Sequence, residues 1–313
     1  MGFLPVGRED VERAAGVIAG RLHRTPTLSC RTLGPHVFLK AELFQRTGSF
    51  KPRGVLTKLA SLTSDEKARG VIAASAGNHA AALAFGAALE GSDALVVMYQ
   101  GASAVKLRAA EAYGASIDLE ATGPGDVFER LDALQKETGR VLVHPFDDPL
   151  VIAGQGTVGL EILEDVPDVE RILVPCGGGG LFSGIAAAAQ RADVEVVPVE
   201  PENSRALHAA FEAGEVTRVE ARSVADGLNA PFAGEVALKV TQALGVEPVL
   251  VSEDEIAVGF RFLYERAKLA CEPAGAAAVA ALLAGKVEGR STVCVVSGGN
   301  VAARTAAGIL ASP

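Results

Sequence analysis

The sequence contains few cysteines, no excess of positive charge and no long apolar run. Its four cysteines, Cys30, Cys176, Cys271 and Cys294, lie far apart without metal-ligand spacing, which predicts reduced, mostly buried thiols in a cytoplasmic protein. The formal net charge of −9 and the lack of a basic stripe argue against a nucleic-acid partner. The most apolar run, residues 274–285, is too short to cross a bilayer, and the first residues lack the apolar region of a signal peptide. We therefore expect no membrane association.

The order of strand-like and helix-like segments predicts the fold class. From about residue 36, short β-branched runs alternate with apolar-periodic segments, which is typical of an α/β protein with mostly parallel sheets. The 313 residues are too many for one small sheet, and neither a repeat nor a Pro/Ser-rich linker separates two tandem units. We predict two open, twisted α/β lobes that are interleaved in sequence, one formed by residues 1–62 with 141–313 and the other by residues 63–140.

Eight segments are predicted to be strands, and four are predicted to be helices. The strands are HVFLKAE, GVIAAS, DALVVMY, SIDLEA, VLVHPF, RILVPC, VEVVPVEP and TVCVVSGGN, and the helices are NHAAALAFGAALEG, DVFERLDALQKETG, SRALHAAFEAG and AGAAAVAALLAG.

Four consecutive glycines follow the strand RILVPC and precede an alanine-rich helix. Gly177, Gly178, Gly179 and Gly180 would let the backbone approach an anion closely and point its N–H groups inward, at the positive end of the helix dipole. No lysine follows them as in a P-loop, and no Rossmann fingerprint is present. A tight turn without a ligand is the alternative, but the pattern favours a phosphate site.

Two further turns follow strands, at the end of the sheet where open α/β folds bind ligands. In SAGNH, the backbone with Ser75, Asn78 and His79 could bind a carboxylate, although His79 alone could equally be a structural histidine. In VSGGN, Ser297 is either a turn former or a hydrogen-bond partner for a heterocyclic nitrogen.

Lys51, in the stretch GSFKPRG, is the candidate nucleophile. Pro52 is suited to the first position of a helix, which places Lys51 at the helix start. The helix dipole and burial both disfavour a positive charge there, so the pKa of the amine should fall. A nucleophilic amine, a phosphate site and a carboxylate-binding turn together indicate a pyridoxal-phosphate site.

These segments also carry a family resemblance. KAELFQRTGSFKPRG, SAGNH, HPFDDPLVIAGQGTVGLEIL, PCGGGGLFSGI, VADG, YERAKLACEPAGAAAVAAL and VSGGN resemble, in this order, the fold-type-II pyridoxal-phosphate enzymes, whose fold is that of the tryptophan synthase beta subunit. The most similar group is that of the serine/threonine dehydratases, or threonine ammonia-lyases, and serine racemases. The resemblance runs from about residue 8 to residue 302. It implies that residues 1–62 with 141–313 form a large, pyridoxal-phosphate-binding domain and that residues 63–140 form a small mobile domain.

The resemblance implies a role for each matching residue. Lys51 would hold the cofactor as a Schiff base, Phe50 would lie along its ring, Asn78 would bind the ring hydroxyl, and Ser297 would face the pyridine nitrogen. The phosphate would lie on Gly177 to Gly180 and the N–H of Leu181, and Gly227 would lie near the cofactor. The substrate carboxylate would bind the loop of Ser75, Ala76, Asn78 and His79.

The family also implies a reaction, and one residue separates its two versions. Lys51 would remove the Cα proton of a small amino-acid substrate, and loss of the β-hydroxyl would give a 2-oxo acid and ammonia. In the racemases resembled here, a serine that serves as the second proton donor stands at the position of Ala76, and alanine has no proton to give. We therefore predict a threonine and/or serine dehydratase. A serine racemase, or a dehydratase for 3-hydroxyaspartate or phenylserine, is the alternative.

Further expectations follow from the same resemblance. Family members often bind a divalent ion through two carboxylates; here Glu200 is present, but the second position is Ala206, so Glu200 and the Ser204 carbonyl would hold at most a weakly bound divalent or monovalent cation. We expect a homodimer or homotetramer. There are two competing interpretations. A dinucleotide-binding protein would leave GSFK and VSGGN unexplained. An inactive sensor would not explain why every cofactor-binding residue is retained.

Overall fold

The parallel strands of this chain form two separate sheets. The computed structural model describes residues 4–75, 77–100, 104–123, 126–288 and 290–311. The strands are β1 (Thr27–Ser29), β2 (Val37–Ala41), β3 (Val71–Ala74), β4 (Ala94–Tyr99), β5 (Ser116–Ala121), β6 (Val141–Leu142), β7 (Arg171–Pro175), β8 (Glu195–Pro201), β9 (Val249–Val251) and β10 (Thr292–Val296). One sheet has the order β1-β2-β10-β7-β8-β9 and the other β5-β4-β3-β6. Only the pairing of β1 with β2 is antiparallel among the strands described.

Helices connect the strands and cover the sheets. They are α1 (Arg8–Ile18), α2 (Pro52–Ala60), α3 (Ser64–Arg69), α4 (Asn78–Glu90), α5 (Ala104–Ala112), α6 (Val127–Thr138), α7 (Pro149–Asp165), α8 (Gly180–Ala188), α9 (Ala206–Ala213), α10 (Glu235–Leu244), α11 (Glu253–Phe262), α12 (Pro273–Leu283) and α13 (Ala303–Ala311). Within the described residues, no helix is both long and apolar enough to cross a membrane.

Both faces of each sheet are buried, as a doubly wound architecture requires. In β7, Ile172 and Val174 belong to one apolar cluster, with Phe182 of α8, whereas Leu173 belongs to a second cluster, with Phe260 of α11. Alternate residues of β3 likewise enter two different clusters. The α/β fold class with mostly parallel sheets is therefore confirmed. All eight predicted strands and all four predicted helices are present, although VLVHPF contributes only Val141–Leu142 to a strand. The proposed domain bounds stay a prediction.

Close helix packing positions the segment that carries Lys51. A Cβ at Gly54 would lie 2.5 Å from the carbonyl oxygen of Val151, and one at Gly154 would lie 2.4 Å from that of Arg53. Helices α2 and α7 therefore meet backbone to backbone, since neither position has room for a side chain. This contact fixes the first turn of α2 and hence the position of Lys51.

Candidate active site

Lys51 lies at the start of α2, with its amine between a backbone carbonyl and the ring of Phe50. It is the N-cap residue, and Pro52 occupies the first helical position as predicted. The Nζ atom donates a 2.7 Å hydrogen bond to the carbonyl oxygen of Pro145 and lies 5.1 Å from the ring centroid of Phe50. Burial lowers the pKa of Lys51 to about 8, although the nearby carboxylate of Glu272 opposes this shift. The amine therefore has the lowered pKa expected of a nucleophilic lysine.

Residues 143–146 connect Lys51 to the glycine loop. The carbonyl oxygen of Val143 contacts His79 Nε2 at 2.8 Å, and the carbonyl oxygen of Pro145 accepts the bond from Lys51. The Nδ1 atom of His144 accepts backbone N–H bonds from Phe146 at 3.3 Å and Asp147 at 2.9 Å, which closes the turn. This turn brings the Phe146 ring against the glycine loop.

The two aspartates that follow start two helices. Asp147 accepts backbone N–H bonds of 3.1 Å from Glu235 and Val236, at the first turn of α10. Asp148 accepts N–H bonds from Leu150 and Val151 as the N-cap residue of α7, and it pairs with Lys58 of α2 at 2.7 Å. The HPFDDP segment thus ties three helices together around the site.

The four glycines form a close turn at the carboxyl end of β7. A Cβ at Gly178 would lie 2.3 Å from Cγ of Phe146, and one at Gly180 would lie 2.7 Å from the carbonyl oxygen of Phe146. Gly179 adopts the left-handed region, with φ +88°, and α8 begins at Gly180, followed by the buried Leu181. The first-turn N–H groups of a helix have no acceptor within the helix and favour an anion. This geometry fits a phosphate group.

Three further predicted residues lie next to Phe50 or Glu272. Ser297 directly follows β10 and is 4% exposed, and its carbonyl oxygen accepts the N–H of Phe50 at 3.2 Å. Asn78 is the first residue of α4, and its Nδ2 donates to Glu272 Oε1 at 2.7 Å. A Cβ at Gly227 would lie 3.7 Å from the same Glu272 oxygen. The ends of β3, β7 and β10 thus bring Asn78, the glycines and Ser297 to one place.

The loop predicted to bind the substrate carboxylate is described only in part, because Ala76 lies outside the described residues. Ser75 Oγ accepts the N–H of Gly77 at 3.2 Å, so this side chain shapes the turn. His79 is 2% exposed, and burial lowers its pKa to about 3, with a further contribution from Lys51. A neutral, buried His79 that contacts the Val143 carbonyl is suited to holding the loop rather than to transferring protons.

Glu200 and Ser204, the predicted cation ligands, lie one strand away, at the end of β8. Both oxygens of Glu200 accept backbone N–H bonds of 2.8 Å, from Leu207 and His208 in the first turn of α9. Burial raises the pKa of Glu200 to about 8, although these bonds oppose the shift. Ser204 Oγ donates to the carbonyl oxygen of Leu228 at 2.9 Å. Over the described ranges, no cluster of three His, Cys, Asp or Glu side chains could hold a metal ion. The cation stays a prediction.

Sequence reasoning missed Glu272, which is central to the site. It is 3% exposed, contacts Asn78, and acts electrostatically on Lys51. The available signal was a single glutamate in the apolar segment CEPAGAAAV, which is expected to be buried. A buried glutamate is rare without a partner.

A buried ionic network around Arg53, two residues after Lys51, was also missed by sequence reasoning. Arg53 is fully buried and donates to Glu42 Oε1 at 2.8 Å and to Glu161 Oε1 at 2.7 Å. Lys40, also fully buried, donates to Glu161 Oε2 at 2.7 Å and to the carbonyl oxygen of Thr25 at 2.7 Å. Burial would lower the pKa of Arg53, but the two glutamates outweigh it and raise that pKa. The network connects α2 to β2 and α7.

Comparisons with known proteins agree with this geometry. The family model for pyridoxal-phosphate dependent enzymes matches residues 18–299. The catabolic L-threonine dehydratase of Escherichia coli K12 is 42% identical over 310 residues, which cover 95% of this chain and 94% of that protein. The T.th. threonine deaminase structure has a TM-score of 0.88 at 40% identity, covering 95% of this chain and 99% of that one. The maize serine racemase structure has a TM-score of 0.90 at 34% identity, and the match covers 96% of this chain and 95% of that one.

The matched residues include every candidate cofactor residue, from Phe50 and Lys51 to Ser297. The matches to relatives and structures likewise extend over nearly the whole chain, so they concern both sheets. This chain belongs to the pyridoxal-phosphate dependent enzyme family, in its fold-type-II serine/threonine dehydratase group.

Proposed function

We propose that this protein deaminates L-threonine and/or L-serine by β-elimination of water. A water molecule is then added back as ammonia leaves, so the net products are ammonia and 2-oxobutanoate or pyruvate. The observation that carries the proposal is the amine of Lys51, whose pKa is lowered to about 8, beside a glycine loop suited to a phosphate. The named relatives at 40–42% identity are threonine dehydratases or deaminases, which supports this substrate class.

The residues of this chain divide the work as follows. Gly177 to Gly180, with the N–H of Leu181, would hold the cofactor phosphate, and Asn78 and Ser297 would hold its ring. When bound, the cofactor withdraws electrons from Cα and acidifies its proton. Lys51 then takes that proton on Nζ, because a pKa near 8 lets the amine accept and release a proton near neutral pH. A neutral hydroxyl at Ser297 does not force a full charge onto the ring nitrogen, which favours prompt loss of the β-hydroxyl.

A panel of amino acids tests this proposal. The purified enzyme is incubated with L-threonine, L-serine, 3-hydroxyaspartate and phenylserine, and both 2-oxo acid release and the chirality of the remaining amino acid are measured. We expect 2-oxo acid from threonine or serine, with little D-serine. The Ala76→Ser variant should form more D-serine, since the new hydroxyl can supply the second proton. Abundant D-serine from the unchanged enzyme, with little pyruvate, would instead identify a serine racemase, the alternative that the likeness to the maize enzyme keeps open.

The glycine loop gives a second test. In Gly178→Ala, the new Cβ would lie 2.3 Å from Cγ of Phe146, so the ring or the loop has to move. Overpacking of this kind costs about 1–3 kcal/mol, so we expect cofactor affinity to fall about tenfold or more. Titration of the cofactor-free protein with pyridoxal phosphate measures this affinity.

Gly16→Ala is the matched control for this substitution. Gly16 lies in α1, and an added Cβ there meets nothing within 4 Å. It should leave the affinity unchanged and raise helix stability slightly. Equal affinities for the two variants would contradict the assignment of the phosphate site.

Location and assembly are part of the proposal. Cys30, Cys176, Cys271 and Cys294 are all free and buried, which supports a reducing, cytoplasmic environment. We further propose a homodimer or homotetramer, as the family resemblance implies, with the large and small domains bounded as predicted from the sequence.

A further inference from the structure

Asn300 connects two segments of the site that are distant in sequence. Its Nδ2 donates to the carbonyl oxygen of Thr47 at 2.7 Å and to Oδ1 of Asn78 at 2.8 Å. Thr47 precedes Lys51 by four residues, and Asn78 begins α4, on the four-stranded sheet. The side-chain amide of Asn300 therefore connects the segment just before Lys51 to the start of the helix that begins with Asn78.

The contacts of Asn78 allow only one orientation of its own amide. Its Oδ1 accepts from Asn300, while its Nδ2 donates to Glu272 Oε1 at 2.7 Å. A flipped amide would place two N–H groups against each other at Asn300 and two oxygens against each other at Glu272. One of the two Nδ2 protons is used by Glu272, and the second is then the group that Asn78 offers to the cofactor.

Two glycines, Gly48 and Gly298, leave space for this chain of hydrogen bonds, at whose end Asn300 is exposed. Gly48 has φ +76°, and a Cβ there would lie 2.5 Å from Asn300 Oδ1. A Cβ at Gly298 would lie 2.3 Å from Glu272 Oε1. Thr47 adopts φ 63°, an unfavourable conformation for a β-branched residue, and its carbonyl is the one that Asn300 holds. Such a conformation persists only where the surroundings hold it.

We propose that Asn300 is a positioning residue for the cofactor site. By donating to Asn78 and to Thr47 together, it orients the Asn78 amide toward the cofactor ring and holds the segment that leads into Lys51. The inference rests on the proposed function, in which Asn78 binds the ring hydroxyl. Asn300 itself is not assigned any contact with substrate or cofactor.

Two substitutions test the role of the donated hydrogen bonds. Asn300→Asp keeps the size of the side chain but removes its amide donor, and Asn300→Ala removes it without adding charge. Arg304→Ala, at an exposed position on α13, is the control. For each variant, the dissociation constant of pyridoxal phosphate, the circular dichroism of the bound cofactor and the melting temperature of the cofactor-free protein are measured.

We expect both Asn300 variants to bind the cofactor about tenfold more weakly, the effect of losing a hydrogen bond of ordinary strength. The circular dichroism of the bound cofactor should fall as well, while the melting temperatures stay close to that of Arg304→Ala. Unchanged affinity and dichroism in both variants would overturn the inference. A fall in melting temperature that matches the loss of affinity would also overturn it, because the role would then be structural. If the unchanged protein bound no pyridoxal phosphate, the proposed function would fail as well.

Discussion

Replacing Lys51 by alanine should abolish lyase activity while the chain still folds. The substitution removes the amine that we propose anchors the cofactor and takes the Cα proton, so the rate should fall about 10³-fold or more. Its buried amine makes a hydrogen bond to Pro145, but burial also disfavours its charge, so removing it has opposing effects on stability. Release of 2-oxo acid and the absorption of the bound cofactor measure the outcome, and we expect both signals to be lost together.

The same prediction has a pH dependence. The neutral amine is the form that attacks the cofactor carbonyl, and the pKa of Lys51 in the folded chain is about 8. The rate at which the cofactor-free protein captures pyridoxal phosphate should therefore rise with pH and level off above about pH 8, rather than above the usual lysine value of about 10.4.

Lys58→Ala is the matched control for this prediction. Lys58 lies on the same helix and pairs with Asp148 at 2.7 Å, outside the cofactor site. This variant should keep the activity and the pH profile of the unchanged protein. Full activity in Lys51→Ala, or an equal loss in both variants, would contradict the role given to Lys51.

Arg53→Leu should be among the most destabilising substitutions in the chain. Arg53 and Glu42 are both fully buried, and removing the guanidinium leaves the carboxylate of Glu42 without its cation. Breaking a buried pair in this way costs about 3–5 kcal/mol of unfolding free energy. Because Arg53 lies two residues after Lys51 on α2, we also expect weaker cofactor binding. Denaturation in urea measures the first effect, and cofactor titration measures the second.

Two comparisons isolate the buried network. Arg13→Ala removes an exposed arginine that pairs with Asp10, and such pairs contribute only about 0–1 kcal/mol. The double variant Arg53→Leu with Glu42→Leu removes the stranded carboxylate and should recover part of the lost stability. If Arg53→Leu were no less stable than Arg13→Ala, the network would have no structural importance.

Local patterns predict eight of the ten described strands, because β-branched runs are visible in the sequence, whereas only four of the described helices are predicted as helical segments. The segment SIDLEA, for example, is predicted to be a strand and forms β5 (Ser116–Ala121). Two short strands, Thr27–Ser29 and Val249–Val251, are not predicted. Each has three residues at a sheet edge, too few for an alternating pattern to be visible.

The candidate site is predictable only where its residues lie in local motifs. Lys51 beside Pro52, and four consecutive glycines after a strand, each indicate chemistry within a few residues. Glu272 and Asn300 cannot be recognised in this way, because only the folded chain brings them to their partner Asn78. Glu272 lies 194 residues from Asn78 in sequence, and Asn300 lies 222 residues from it. Arg53 is equally hard to recognise from the sequence. Its charge suggests a surface residue, whereas its partners Glu42 and Glu161 come from other elements and meet it in the interior.

The covalent anchor of the cofactor tests the central claim most directly. The enzyme with bound pyridoxal phosphate is reduced with borohydride, which makes the bond between cofactor and lysine permanent, and it is then digested and sequenced by mass spectrometry. Our account predicts a pyridoxyl group on Lys51, in the peptide that contains GSFKPRG, and none on Lys58. A modification on a different lysine, or no modification at all, would contradict it.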